Sequence, residues 1–255
     1  MKARFSEFSY GFALSYEIIH SLHSTARGAP RFPSLLEEAQ LGYDVNFEKL
    51  GWPLFLQFKR AEYIGRTTGL QWSSYGGPYY RLAIERRNQS SQHSVLKRLA
   101  NTQPDVYYVA PCFWTLPEFD THFVNQAVFD NSIFFRLSNV PPLPDDLQHY
   151  ITFSPDRPGY MWHSDNAERF TGSVMGSQLF NFIREHRPEP IVIDAAYLLR
   201  LRRDLTNIIL EDDRRNLIRA SDFRGADDPL TKIVQDVRHL LATYFELQMF
   251  VIPGP

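Results

Sequence analysis

Leu41-Gly42-Tyr43-Asp44-Val45 and Leu54-Phe55-Leu56-Gln57-Phe58-Lys59 are two apolar segments whose polar residues fall at fixed places. Each segment alternates as a β-strand does, and residues two apart on a strand share a face. Gln57 and Lys59 are therefore expected on one face and Phe58 on the other. The intervening Glu48-Lys49-Leu50-Gly51-Trp52-Pro53 carries turn residues and is short enough to close a hairpin. That hairpin would fold Asp44 back toward Gln57 and Lys59. A carboxylate, an amide oxygen and an ammonium would then meet at one spot, a donor set suited to a hard divalent cation.

Asp44 followed by Gln57-Phe58-Lys59 resembles the D…(E/Q)-x-K signature of the PD-(D/E)XK nuclease superfamily, in its Gln-containing form. The resemblance covers about residues 5–140. It implies an α/β fold with a restriction-endonuclease-like core, a central mixed sheet flanked by helices. It also implies a Mg²⁺- or Mn²⁺-dependent phosphodiesterase acting on nucleic acid, DNA before RNA. Asp44, Gln57 and the Phe58 carbonyl would hold the metal, and Lys59 would orient the attacking water or stabilise charge on the phosphate. An acid from the first helix often completes such sites. Glu7 is the preferred match, with Glu37 and Glu38 as rivals just before the Asp44 strand. Gln in place of Glu removes one negative charge and lowers the expected metal affinity. Stand-alone members often serve bacterial restriction, antiphage defence or repair, commonly with a protein partner or as homo-oligomers. The alternative is a nuclease-like subunit that binds nucleic acid without cutting it.

The remaining composition constrains this reading without deciding it. A chain of 255 residues with 44% apolar residues can bury a large core. One cysteine, Cys112, rules out an internal disulfide and a cysteine-based zinc site. No apolar run reaches the roughly 20 residues of a membrane helix, and Met1-Lys-Ala-Arg-Phe-Ser-Glu7 lacks the features of a secretory signal. A cytoplasmic protein without a membrane partner is expected. The net charge of −2 does not point to nucleic acid. Its distribution does, because eight basic residues between Lys59 and Arg98 face only Glu62 and Glu85. Arg60, Arg66, Arg86, Arg87, His93 and Lys97 are the candidate phosphate contacts in this segment.

Along the chain, apolar spacing predicts a helix over 5–24 with Ser6 as cap and Glu7 in its first turn. A Gly-, Ser- and Tyr-rich loop over 64–78 should follow the Lys59 strand, then a strand at 79–86, a helix at 90–100 and a buried strand at 105–110. Trp72, Tyr75 and Tyr79 suit base stacking or a protein partner. Pro141-Pro142-Leu143-Pro144 is the strongest punctuation and suggests a division into residues 1–140 and a C-terminal, mostly helical α+β segment, 141–255, either a separate module or an extension packed against the first. That half should contain a hairpin near 150–162, helices near 173–186, 194–211 and 229–246, and a final strand near 247–252. Glu17, His20 and His23 are a weaker zinc candidate.

Overall fold

The computed structural model describes residues 1–21, 49–86, 90–155, 160–163, 167–211 and 230–254. Asp44, Glu37, Glu38, His23 and Arg87 lie outside these residues.

The chain folds as an α/β structure in which helices flank a mixed sheet, with α2 (Trp72–Tyr75), α4 (Leu116–Val124) and α5 (Gly176–His186) among the helices. Helix α1 (Glu7–Ser21) opens as its sequence dictates, with the Ser6 hydroxyl accepting the Ser9 amide at 2.9 Å. Strand β1 (Lys49–Phe58) is the centre of the six-stranded sheet. On one edge it pairs in parallel with β4 (Val106–Pro111), through Phe55–Phe58. Earlier on that same edge β10 (Ile191–Ile193) pairs antiparallel over residues 49–51, and on the other edge β11 (Gln248–Pro253) pairs antiparallel over 51–56. β5 (Ser132–Arg136) and β9 (Ser173–Met175) extend the sheet beyond β4.

The expected turn at 48–53 is a misreading, since Lys49–Pro53 is strand. Pro53 is tolerated there for a specific reason. The Phe55 amide donates to Asp105 O and the Lys59 amide to Val109 O, both at 2.9 Å, so odd-numbered amides of β1 face β4. Proline at 53 removes a donor in the gap between β10, whose pairing ends at Gly51, and β4, whose pairing begins at Phe55. Gly51, the other turn signal, lies where β11 crosses closely, and a Cβ there would come within 2.4 Å of Ile252 O. With β11 on one edge and β4 on the other, β1 has no open edge at 55–56 for the expected hairpin partner.

Side-chain alternation along β1 divides the core. Leu54 and Leu56 face α1, whose Tyr10, Ala13, Leu14 and Ile18 pack with Tyr107, Val109 and Phe134. Phe55 faces the opposite cluster, shared with Val106, Tyr108, α3 (Gln92–Thr102), α6 (Ala195–Leu210) and α7 (Leu230–Leu240). That cluster also takes Leu82 and Ile151 from a second, antiparallel sheet. It contains β2 (Glu62–Ile64), β3 (Tyr79–Ile84), β6 (His149–Phe153), β7 (Tyr160–His163) and β8 (Ala167–Phe170). At the start of β4, buried Asp105 is held by Arg187 at 2.7 Å and by Arg136 at 3.5 Å, which ties the bottom of the sheet together.

The expected division near residue 140 does not separate two cores. β9, β10 and β11 complete the β1 sheet, and α6 and α7 cover one of its faces. Pro141–Pro144 marks the passage of the chain from one sheet to the other. Among the described residues, no helix is long and apolar enough to cross a membrane.

Candidate functional site

Ligands of open α/β sheets collect where parallel strands end at their carboxyl termini. β1 and β4 are the parallel pair here, and β1 ends in Gln57-Phe58-Lys59. Phe58 turns toward α1, meeting Tyr10 edge-on with ring centroids 6.1 Å apart. Gln57 and Lys59 turn the other way, toward the start of α3. The predicted sharing of faces within this tripeptide matches the packing.

Lys59 is half-buried, and its Nζ donates to Oε1 of Gln92 at 3.1 Å while lying 5.7 Å from the Tyr108 ring centroid. Among the described residues it makes no ion pair, so its ammonium retains donors for an anionic group. Gln92 is the first residue of α3 and is itself buried. The contact therefore places the positive end of an 11-residue helix beside the ammonium.

Gln57 is 1% exposed, and neither Oε1 nor Nε2 has a hydrogen-bond partner. Its register neighbour on β4 is Tyr108. A buried amide left unpaired is costly, and such groups in native proteins call for a water, an ion or a functional role. The amide oxygen is a hard donor of the kind Mg²⁺ accepts, and on this criterion the residue fits the metal reading. The even-numbered carbonyls of β1 face β11, whose pairing stops at Leu56–Gln248, so the Phe58 carbonyl lies past the last rung.

Tyr108 and His93 form the floor. The Tyr108 hydroxyl lies 2.9 Å from His93 Nδ1, and His93 Nε2 lies 2.7 Å from Pro141 O. A carbonyl can only accept, so Nε2 carries the proton and Nδ1 accepts from tyrosine. Burial, with Lys97 and Lys59 nearby, lowers the His93 pKa to about 4 and keeps the ring neutral.

Glu7 approaches the same strand end from the opposite face. It is exposed at the start of α1, and its Oε1 accepts the Arg60 amide at 3.0 Å. Asp44 was to supply the main carboxylate and is outside the described residues. Among those described, no three His, Cys, Asp or Glu side chains converge on a point.

The basic residues divide into two groups. Arg60, Arg66 and Arg86 are exposed. His93 and Lys97 are not phosphate contacts, a correction to the sequence reading. His93 is 2% exposed with both nitrogens engaged. Lys97 Nζ donates to the carbonyls of Leu137, Ser138 and Val140, holding together the passage between the sheets. Glu17 is likewise removed as a zinc ligand, since its oxygens accept the Val128 and Phe129 amides at 2.9 and 2.7 Å.

Two rim cations were missed. The amino-terminal segment runs beside β2, with Ala3 N–H donating to Ala61 O and Arg4 N–H to Trp114 O. Exposed Lys2 forms an isolated antiparallel backbone pairing with Glu62, and the Arg4 guanidinium lies 5.7 Å from the Trp114 ring centroid. The signal was the alternation of Lys2 and Arg4 with buried Ala3 and Phe5, a strand pattern too short to stand out. Together with Arg60 and Arg66, they make the exit of β1 a basic edge. Comparison with known protein families, with curated proteins and with solved structures yields no match to this chain.

Proposed function

We propose that this protein is a metal-dependent phosphodiesterase of the PD-(D/E)XK type that cuts nucleic acid, DNA in preference to RNA, at the carboxyl-terminal edge of β1 and β4. The observation that carries this reading is the Gln57 amide, sealed from solvent and unpaired, one pleat away from an ammonium with donors to spare. The β1–α3–β4 crossover, which brings the start of α3 to Lys59, accords with a restriction-endonuclease-like core. Gln57 Oε1 and the Phe58 carbonyl would hold Mg²⁺ or Mn²⁺, with Asp44 as the carboxylate that the resemblance supplies. When bound, that cation lowers the pKa of a coordinated water and withdraws charge from a phosphate oxygen. Lys59 places its remaining N–H donors toward the phosphate and stabilises negative charge as it builds. Gln92 fixes the ammonium from behind, and the neutral Tyr108–His93 pair provides a rigid floor. Lys2, Arg4, Arg60 and Arg66 offer the backbone a cationic rim.

A second reading, a subunit that binds nucleic acid without cutting, is favoured by one observation. Glu7, the acid expected from the first helix, has one of its oxygens committed to the Arg60 amide. Purified protein incubated with plasmid and linear DNA in Mg²⁺ or Mn²⁺ separates the two. Cleavage that disappears in Asp44→Ala and in Lys59→Ala, with circular dichroism unchanged, supports the enzyme. Binding without cleavage by the unaltered protein supports the subunit, and failure to bind DNA or RNA removes both.

A further inference from the structure

A cleft of about 390 Å³ opens between β2 and the loop at 65–70. Its walls include Tyr63, Tyr79, Arg66, Arg81, Thr68 and Leu70, with no carboxylate among its lining residues. The volume is at the small end of ligand-binding clefts, right for one base or nucleotide and too small for a duplex. Rings, guanidinium groups and a hydroxyl suit a flat, electron-rich ligand with hydrogen-bonding edges, and they do not suit a cation.

The cleft is preformed. Tyr79 OH donates to Gln71 Oε1 at 2.9 Å and accepts the Gln71 amide at 3.2 Å, and the Gly69 amide donates to Arg66 O at 3.0 Å. Arg81 is clamped by Glu62 through Nε and Nη2 at 3.1 and 2.6 Å. These contacts fix the loop before any ligand arrives, which lowers the ordering cost of binding. The cleft also lies at the correct end of the sheet. Tyr63 stacks on Trp114 with centroids 5.3 Å apart and planes 1° from parallel, and Trp114 follows the carboxyl end of β4. β2 begins three residues after Lys59.

We infer that this cleft receives an unpaired base of the strand whose backbone runs over the basic rim, making single-stranded or locally opened nucleic acid the substrate class. The inference rests on the nucleic-acid reading above. A strand lying on the rim has its phosphates directed at Lys2, Arg4 and Arg60 and can turn one base into the cleft. A closed duplex keeps its bases stacked and cannot.

The test uses fluorescence anisotropy with the full chain in EDTA at fixed salt. Three labelled 20-nucleotide probes are compared: a mixed-sequence single strand, its blunt duplex, and an abasic strand with the same number of phosphates. The single strand is expected to bind roughly tenfold tighter than the abasic strand, in the range that one stacked base contributes. Thr68→Trp and Leu70→Trp, which fill the cleft from exposed positions without altering its charge, should each erase that difference. Equal affinity for the single and abasic strands, tighter binding of the duplex, or full retention of the difference in both variants overturns the base site and leaves the phosphodiesterase reading standing. Binding of none of the three probes overturns both.

Discussion

Replacing Gln57 by methionine should stabilise the protein while removing the proposed metal ligand. Methionine keeps the unbranched reach of glutamine and brings no polar atoms, so it can occupy the same space on β1 beside Tyr108 with little repacking. The amide it replaces is 1% exposed, with both polar atoms unpaired. Such a group costs about 1–3 kcal/mol relative to a satisfied or apolar one. Subtracting about 1 kcal/mol for imperfect packing leaves a net gain of about 0–2 kcal/mol, centred near 1. In a chain of 255 residues, 1 kcal/mol moves the melting temperature by about 2 °C, so the expected rise is about 2 °C and at most about 4 °C. Urea unfolding in EDTA provides the cleaner measurement, with a higher midpoint at an unchanged m-value. Adding Mg²⁺ to about ten times its dissociation constant should stabilise the unaltered protein by about 1.4 kcal/mol and the variant by much less. A loss of 1 kcal/mol or more in EDTA would refute the reasoning, because it would mean that the amide has a partner in the folded protein and is not held open for a ligand.

Three other outcomes follow from the same structure. Lys97→Met strips the donor from three carbonyls at 137–140 and should cost about 2–3 kcal/mol in a urea titration, with the salt dependence of DNA binding unmoved. Lys2→Ala, Arg4→Ala and Arg60→Ala should each reduce the slope of log affinity against log salt by about 1 in anisotropy titrations, since each removes one rim charge. His93 has a folded-state pKa of about 4, below its ordinary value, so the folded form holds fewer protons than the unfolded one. Its contribution is complete above about pH 6.5 and is lost as pH falls toward 4, a total of about 3 kcal/mol that His93→Gln should flatten in urea midpoints taken from pH 7.5 to 4.5.

Where neighbours in sequence decide structure, the sequence was readable. The Ser6 cap and the apolar spacing after it gave α1, and the uninterrupted Val106–Ala110 run gave β4 with its burial on both faces. The split of Gln57 and Lys59 from Phe58 followed from the pleat alone. The failures have a common cause in pairing between distant segments. Gly51 and Pro53 carry a strong turn signal, yet β11, about 200 residues later, needs the first to be glycine, and the gap before the start of β4 leaves room for the second. Pro141–Pro144 was taken as a boundary because nothing local shows that Lys97 and His93 bind the carbonyls of that stretch. Charge counting made the same error at His93 and Lys97, which look like a basic helix face and are absorbed as a structural clasp.

The position of the candidate site has a cause in strand register. β11 stops pairing at Leu56, whereas β4 continues alongside Phe58 and accepts the amide of Lys59. Gln57, Phe58 and Lys59 are thus held straight by one neighbour and released by the other. A strand covered on both edges would have committed every backbone group, and one free on both edges would not hold Gln57 and Lys59 to a common face. The stagger gives rigidity on the β4 side and leaves the Phe58 carbonyl past the last rung on the β11 side, and α3 begins at that point to fix Lys59 through Gln92. Lengthening β11 by two residues would extend its ladder past Leu56 and cover the Phe58 carbonyl. Such a chain should fold as well as this one and show none of the Mg²⁺-linked stabilisation proposed for the unaltered protein, an outcome that would tie the proposed chemistry to the stagger as well as to the identity of the tripeptide.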